Sequence, residues 1–197
     1  MQPDPADFLA ASRVIDFDHP AVAAKAAELR GTSDDPVAIT AACFAFVRDE
    51  IPHSVDIQAE VVPCTASEVL AAGTGYCYAK SHLLAALLRA NEIPTALVYQ
   101  RLSLDDIGPP FILHGLNAVH LPGIGWHRID ARGNKPGLET VFDPTHESLA
   151  YPPKLPGEAT LPGLYADPLP VVEAALTDAP GWRTVIERRP DIEPQTL

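Results

Sequence analysis

The chain has 197 residues, 47% of them hydrophobic and 20% charged, which is enough apolar material for one folded core and too much for a disordered chain. Its formal net charge of −12 repels phosphate backbones and anionic headgroups, no basic patch offsets it, and no stretch of about 18 apolar residues is present, so neither nucleic acid nor membrane is an expected partner. Three widely spaced cysteines without a C-x-x-C pair suggest neither a disulfide framework nor a thiolate zinc site, and the acidic, proline-bearing N-terminus lacks the pattern of a secretory leader, so a cytoplasmic protein is expected.

In chain order, residues 20–30 (PAVAAKAAELR) open on proline, are rich in alanine and stop at Gly31, the pattern of a helix. A second helix is predicted over about 36–49. Ser33, Asp34 and Asp35 offer caps, and Ile39, Cys43, Phe46 and Val47 recur at helical spacing toward a core, with Cys43 a buried thiol. Residues 51–64 read as loop with extended pieces. Thr65 or Ser67 is placed to cap a short helix over 66–72, with Glu68 in its first turn.

Gly73-Thr74-Gly75-Tyr76 is a tight turn, and Cys77 opens the run CYAKSHLLAALLRANEIP. Leu83, Leu84, Leu87 and Leu88 make one apolar stripe, with Lys80 and Arg89 off it. Asn91 is expected to end the helix in a left-handed conformation, and Pro94 forbids its return. Cys77 therefore opens a buried helix. Three strands are predicted next, over 95–102, 111–121 and 125–131, with Pro122-Gly123 as the turn of the last hairpin. The polar loop 103–110 is either a connector or a substrate-facing lid. Val141-Phe142 reads as a short edge strand, 152–170 as proline-rich surface chain, and 171–176 and 182–188 as short helices. Helices followed by an antiparallel sheet make an α+β fold. Residues 1–150 are expected to form its body and 151–197 a proline-rich extension wrapping the same domain.

A thiolate is the useful nucleophile, and a helix N-terminus with unpaired N–H groups favours it, as does a nearby imidazole. Cys77 meets the first condition, and the N–H groups around it could also hold a developing oxyanion. His114 and Asp130 lie symmetrically about Pro122, so the hairpin brings them opposite each other or within one register step. Opposed side chains have Cβ atoms about 4.5–5.5 Å apart. Asp130 can then accept the second ring N–H of His114 and fix its tautomer, the third-group role of a triad.

Gly75-x-Cys77 opening a leucine-rich helix that ends RANEIP, then His114, then LPGIGWHRID, resembles the transglutaminase-like superfamily, in its bacterial form. The resemblance covers about residues 65–132. It implies a papain-like core with Cys77 as nucleophile, His114 as base and Asp130 as orienting acid, and a catalytic domain over 1–150. It implies an enzyme acting on a peptide or on an amide-containing small molecule: a peptidase, an amidase or an acyltransferase. No metal and no organic cofactor is called for. The rival reading is a binding or structural module that keeps this fold without turnover. Gly115-Leu116 and Ala131-Arg132 depart from the neighbours that family members often carry, and Asp143-Pro144-Thr145 matches the family's Asp-Pro-Thr signature better locally. The Gly-Trp spacing and the hairpin register still favour Asp130.

Among the remaining residues, His120 shares a strand face with His114, but a two-histidine metal site lacks a convincing third ligand. His127 is expected to point away from Asp130. His53, His82 and His146 have no pattern behind them and read as solvated, and Cys64 as a half-exposed inert thiol. Tyr76 and Tyr78 read as packing groups beside the nucleophile. A side chain upstream of the cysteine often assists the oxyanion in papain-like folds, and Gln58 and His53 are both available for it.

Overall fold

A computed structural model of the chain describes residues 3–194. A short 3-10 turn, Pro5–Phe8, precedes helices α1 (Pro20–Arg30), α2 (Pro36–Glu50), α3 (Ala66–Ala72) and α4 (Cys77–Arg89). Strands β1 (Thr95–Ser103), β2 (Phe111–Leu121) and β3 (Gly125–Ile129) follow, then β4 (Ala159–Thr160) and helices α5 (Pro170–Leu176) and α6 (Trp182–Arg188). The sheet runs β3-β2-β1-β4 with every neighbour antiparallel. This is an α+β fold with helices packed on an antiparallel sheet. None of the described helices is long and apolar enough to cross a membrane.

The helix starts follow local chemistry. The Asp35 carboxylate accepts the Val37 N–H, and Thr65 and Glu68 form a reciprocal capping box. In α2 it is Phe44 rather than Phe46 that is fully buried beside Ile39, Cys43 and Val47. The end of α4 differs from the expectation at Asn91. Ile93 N–H bonds to Leu88 O and Glu92 N–H to Arg89 O, and the left-handed residue is Glu92 (φ 60°). Asn91 instead uses its side chain, donating to the carbonyls of Ala26 and Leu87, and so ties α4 to α1.

Helix α4 is buried along its whole length, not only on its leucine stripe. Lys80 and Arg89 are buried with it, because each finds carbonyl partners. Lys80 Nζ donates to Ile51 O, and burial pushes its pKa down to about 7. The Arg89 guanidinium donates to the carbonyls of Thr95, Ala10 and Ala166. Among the histidines, His82 lies in the core with Nδ1 on Cys64 O, and His53 is also buried. Neither is solvated as expected. Cys64 is buried too, in the core cluster that residues of α5 and α6 also enter.

The β2–β3 hairpin turns about Gly123 rather than Pro122. Leu121 pairs with Gly125, and Gly123 and Gly125 both take positive φ. The register is therefore one pair displaced from the expected one: Leu116 rather than His114 falls opposite residue 130, and β3 stops at Ile129 before reaching it. Val141-Phe142 forms no strand. The short edge strand is β4, which pairs with the opposite edge of the sheet, Gln100 with Thr160 and Arg101 with Ala159.

Candidate active site

The loop before α3, the turn before α4, and β2 converge on one cleft of about 490 Å³. Cys77, His53, Tyr76, His114, Arg132 and Tyr151 are among the residues that line it. The turn into Cys77 is shaped by two glycines. Gly73 caps α3 in the left-handed region (φ 64°), and a Cβ on Gly75 would come within 3.3 Å of the Lys80 backbone and of Val69. Tyr76 gives α4 no side-chain cap, and among the described residues no hydrogen bond uses the Cys77 N–H. The helix mouth thus keeps an unpaired donor beside the sulfur.

His114 lies on the sheet face opposite the core that α4 covers, because alternation along β2 sends Leu113 to that core and the imidazole the other way. The mouth of α4 comes against β2 beside His114, at Gly115. Gly115 makes this possible: a Cβ there would sit 2.9 Å from the Tyr78 ring and 3.1 Å from Tyr78 Cα, so only glycine lets the mouth of α4 rest on β2. Cys77 and His114 both line the cleft there, and the Cys77 sulfur is near enough to act on the imidazole's charge.

His114 Nε2 is 2.8 Å from Asp130 Oδ2, and both side chains are almost wholly buried. The displaced register makes the two diagonal neighbours on one face, which keeps them within reach. Asp130 also accepts the N–H of Arg132 at Oδ1 (3.1 Å) and of Ala150 at Oδ2 (2.9 Å). Burial alone would raise the Asp130 pKa, but the His114 charge and these hydrogen bonds outweigh it and hold it below the ordinary carboxylate value. Burial alone would likewise lower the His114 pKa, but the charge of Asp130, the Cys77 sulfur and the hydrogen bonds to both push it up to about 10. With Nε2 committed to Asp130, Nδ1 is the nitrogen left for the thiol.

Of the two carboxylates weighed in the sequence, Asp130 is the one that meets His114. Asp143 sits in a surface turn, accepting the N–H and hydroxyl of Thr145 and pairing with His146. His120 packs edge-on against Trp126, and His127 lies on the other face against Phe142. Among the described residues no group of three or more His, Cys, Asp or Glu is arranged to hold a metal ion.

Three residues at the site had no assigned place in the sequence. His53 accepts the Val55 N–H at Nδ1 (3.2 Å), and its strand-like bridge to Gly75 fixes it beside the turn into Cys77. Burial, with the nearby Arg132 and Lys80 charges, holds its pKa well below the ordinary value, so the ring is neutral with Nε2–H directed away from Val55. Gln58, the other residue upstream of the cysteine, is exposed and does not line the cleft. Tyr151 stands edge-on to the His114 ring, 5.1 Å between centroids. Lys80 ties the first turn of α4 to the carbonyl of Ile51, two residues before His53. A cation beside the leucine stripe of a buried helix was the available hint for Lys80; nothing local marks Tyr151.

A thiol at a helix mouth, an imidazole on the neighbouring strand and a buried carboxylate on its second nitrogen define a papain-like architecture. The chain belongs to the transglutaminase-like superfamily, whose family model matches residues 23–131. Among solved structures it is similar to a provisionally named cysteine protease from Cytophaga hutchinsonii. That match has a TM-score of 0.53 and 20% identity, and covers 67% of this chain and 43% of that one. It is also similar to the periplasmic domain of TgpA from Pseudomonas aeruginosa, with a TM-score of 0.47 and 21% identity over 66% of this chain and 48% of that one. The chain thus spans under half the length of either, and at 20% identity the likeness to the first is one of fold. No curated protein matches it.

Proposed function

We propose that the chain is a cysteine-dependent enzyme that opens amide or acyl bonds through Cys77, His114 and Asp130, by way of a thioester. The observation that carries this reading is the buried His114–Asp130 pair, 2.8 Å apart, in a cleft that His114 shares with Cys77 at the mouth of α4. Nδ1 of His114 takes the thiol proton, and Asp130 stabilises the imidazolium. The sulfur attacks the carbonyl carbon, and the carbonyl electrons move to oxygen. The Cys77 N–H and the Nε2–H of His53 are the donors to that oxyanion. As the C–N bond breaks, the His114 proton passes to the leaving amine. Water or an amine then attacks the thioester, gives its proton back to His114 and frees the thiol. Water makes the protein a peptidase or amidase, and an amine makes it an acyltransferase. The substrate is a peptide or an amide-bearing small molecule. A cytoplasmic setting belongs to the same reading, supported by three cysteines that are all free thiols.

The test is alkylation by iodoacetamide across pH. The native chain should react at Cys77 well below pH 8, and His114→Ala should react on the order of 10²-fold more slowly. Equal, slow rates in both would assign Cys77 to packing and leave a binding module. Competition of a thiol probe with peptides and glutamine amides then separates hydrolysis from transfer.

A further inference from the structure

The cleft extends past the reacting groups, and its far part has its own chemistry. On the β1–β2 ladder Gln100 faces His114 and Leu102 faces Ile112. Two residues along a strand is about 6.6 Å, and alternation returns side chains to the same face. The Leu102–Ile112 pair therefore lies on the face that carries His114, one step farther along. Both line the cleft, joined by Leu104 from the 103–110 loop and Ile186 from α6.

The charged groups at this end are already spent. Asp106 and Lys154 pair with each other at 3.2 Å. The Glu158 carboxylate accepts three backbone N–H groups, from Ser103, Lys154 and Leu155. A chain with a net charge of −12 suggests a cationic ligand, but the charged groups lining this end of the cleft are already paired or hydrogen-bonded within the protein, and its floor is hydrocarbon. A charged ligand group seated there would lose water and gain no partner.

We infer that this end of the cleft is a specificity subsite for a bulky apolar side chain next to the reacting carbonyl, with Leu102 and Ile112 as its floor and Leu104 and Ile186 as its walls. The inference rests on the proposed reaction for the position of the carbonyl, and on the cleft alone for the chemistry of the subsite. The same set of residues places the 103–110 loop against the substrate.

Binding and turnover test it separately. Cys77→Ala protein is titrated calorimetrically with four blocked peptide amides that differ only in the residue flanking the amide: Leu, Phe, Lys or Glu. The Leu and Phe peptides should bind about 10–100-fold more tightly than the Lys and Glu peptides. Adding Leu104→Lys, a half-buried loop position, should remove that preference and raise affinity for the Glu peptide. Ile186→Glu should shift it toward the Lys peptide. Equal affinities, a preference for a charged peptide in the starting protein, or no binding of any of the four overturns the subsite. If the preference holds but the native chain forms no acyl-enzyme with the Leu peptide's thioester, the reaction is wrong and the subsite stands.

Discussion

At the scale of single residues, the His114–Asp130 pair makes stability depend on pH in a direction that can be worked out. His114 is raised from 6.5 to about 10, so its contribution is complete below 6.5 and is lost as pH rises through about 10. Asp130 is lowered from 3.8, so its contribution is complete above 3.8 and is lost as pH falls below that value. The pair is most stabilising between those two ordinary values. Lys80 slopes the other way: its pKa is depressed from 10.5 to about 7, so it adds stability as pH rises across that interval. The native melting curve mixes these terms, and comparison with Asp130→Asn isolates the pair. The difference in unfolding free energy between native and Asp130→Asn, measured in urea, should be largest near pH 5–6 and shrink by on the order of a few kcal/mol toward pH 10. A difference that stays constant over that range would show that His114 is neutral in the folded chain.

At the scale of elements, the site depends on α4 lying flat on β2, and Gly115 is where that contact is closest. A methyl group 2.9 Å from the Tyr78 ring and 3.1 Å from its Cα has no flexible neighbour to displace, because Tyr78 belongs to the first turn of the helix and its hydroxyl is bonded to Leu113 O. Gly115→Ala should therefore cost about 1–3 kcal/mol of stability by overpacking. It should also move Cys77 off the imidazole, so that alkylation at neutral pH slows while the circular dichroism spectrum is kept. Much of this arrangement was legible in the sequence. The leucine periodicity after Cys77 and the β-type run over 111–121 marked the helix and strand that carry the thiol and the imidazole. The Gly-Trp spacing chose Asp130 over Asp143. The hairpin centre was misplaced by one residue because Pro122-Gly123-Ile124 forms the loop, with Gly123 and Gly125 both at positive φ, and the sequence offered Pro-Gly as the turn. His53 was legible only as one of two upstream candidates with Gln58, and Lys80 and Tyr151 not at all, because their roles are contacts with residues far along the chain. Alternation and helical spacing report which face a side chain takes, not what meets it there.

At the scale of the whole molecule, described residues after 150 pack into the same core as the helices before them. Leu161, Val172, Leu176 and Val185 share the core cluster of α2 and α4, β4 extends the sheet, and Tyr151 covers His114. The closing contact is at the end of this segment. Arg101 on β1 holds Asp191 through two hydrogen bonds of 2.6 and 2.8 Å, donates to Gly157 O, and lies over the Phe111 ring at 4.0 Å. That bond places Pro190 O on the N–H of Leu113, at 2.8 Å, the residue immediately before the imidazole. The tail thus takes up the backbone donor that β3, ending at Ile129, leaves unpaired on β2. Breaking the pair removes a charge-assisted bond worth about 1–3 kcal/mol. Asp191→Ala should accordingly lower Tm by roughly 2–8 °C. It should also speed amide hydrogen exchange at Leu113 by about tenfold or more beyond the amides of α2, which should speed up only by the loss in global stability. If exchange at Leu113 tracked only the global change, the tail would be a passive cover, and the strand bearing His114 would owe its position to α4 and β1 alone.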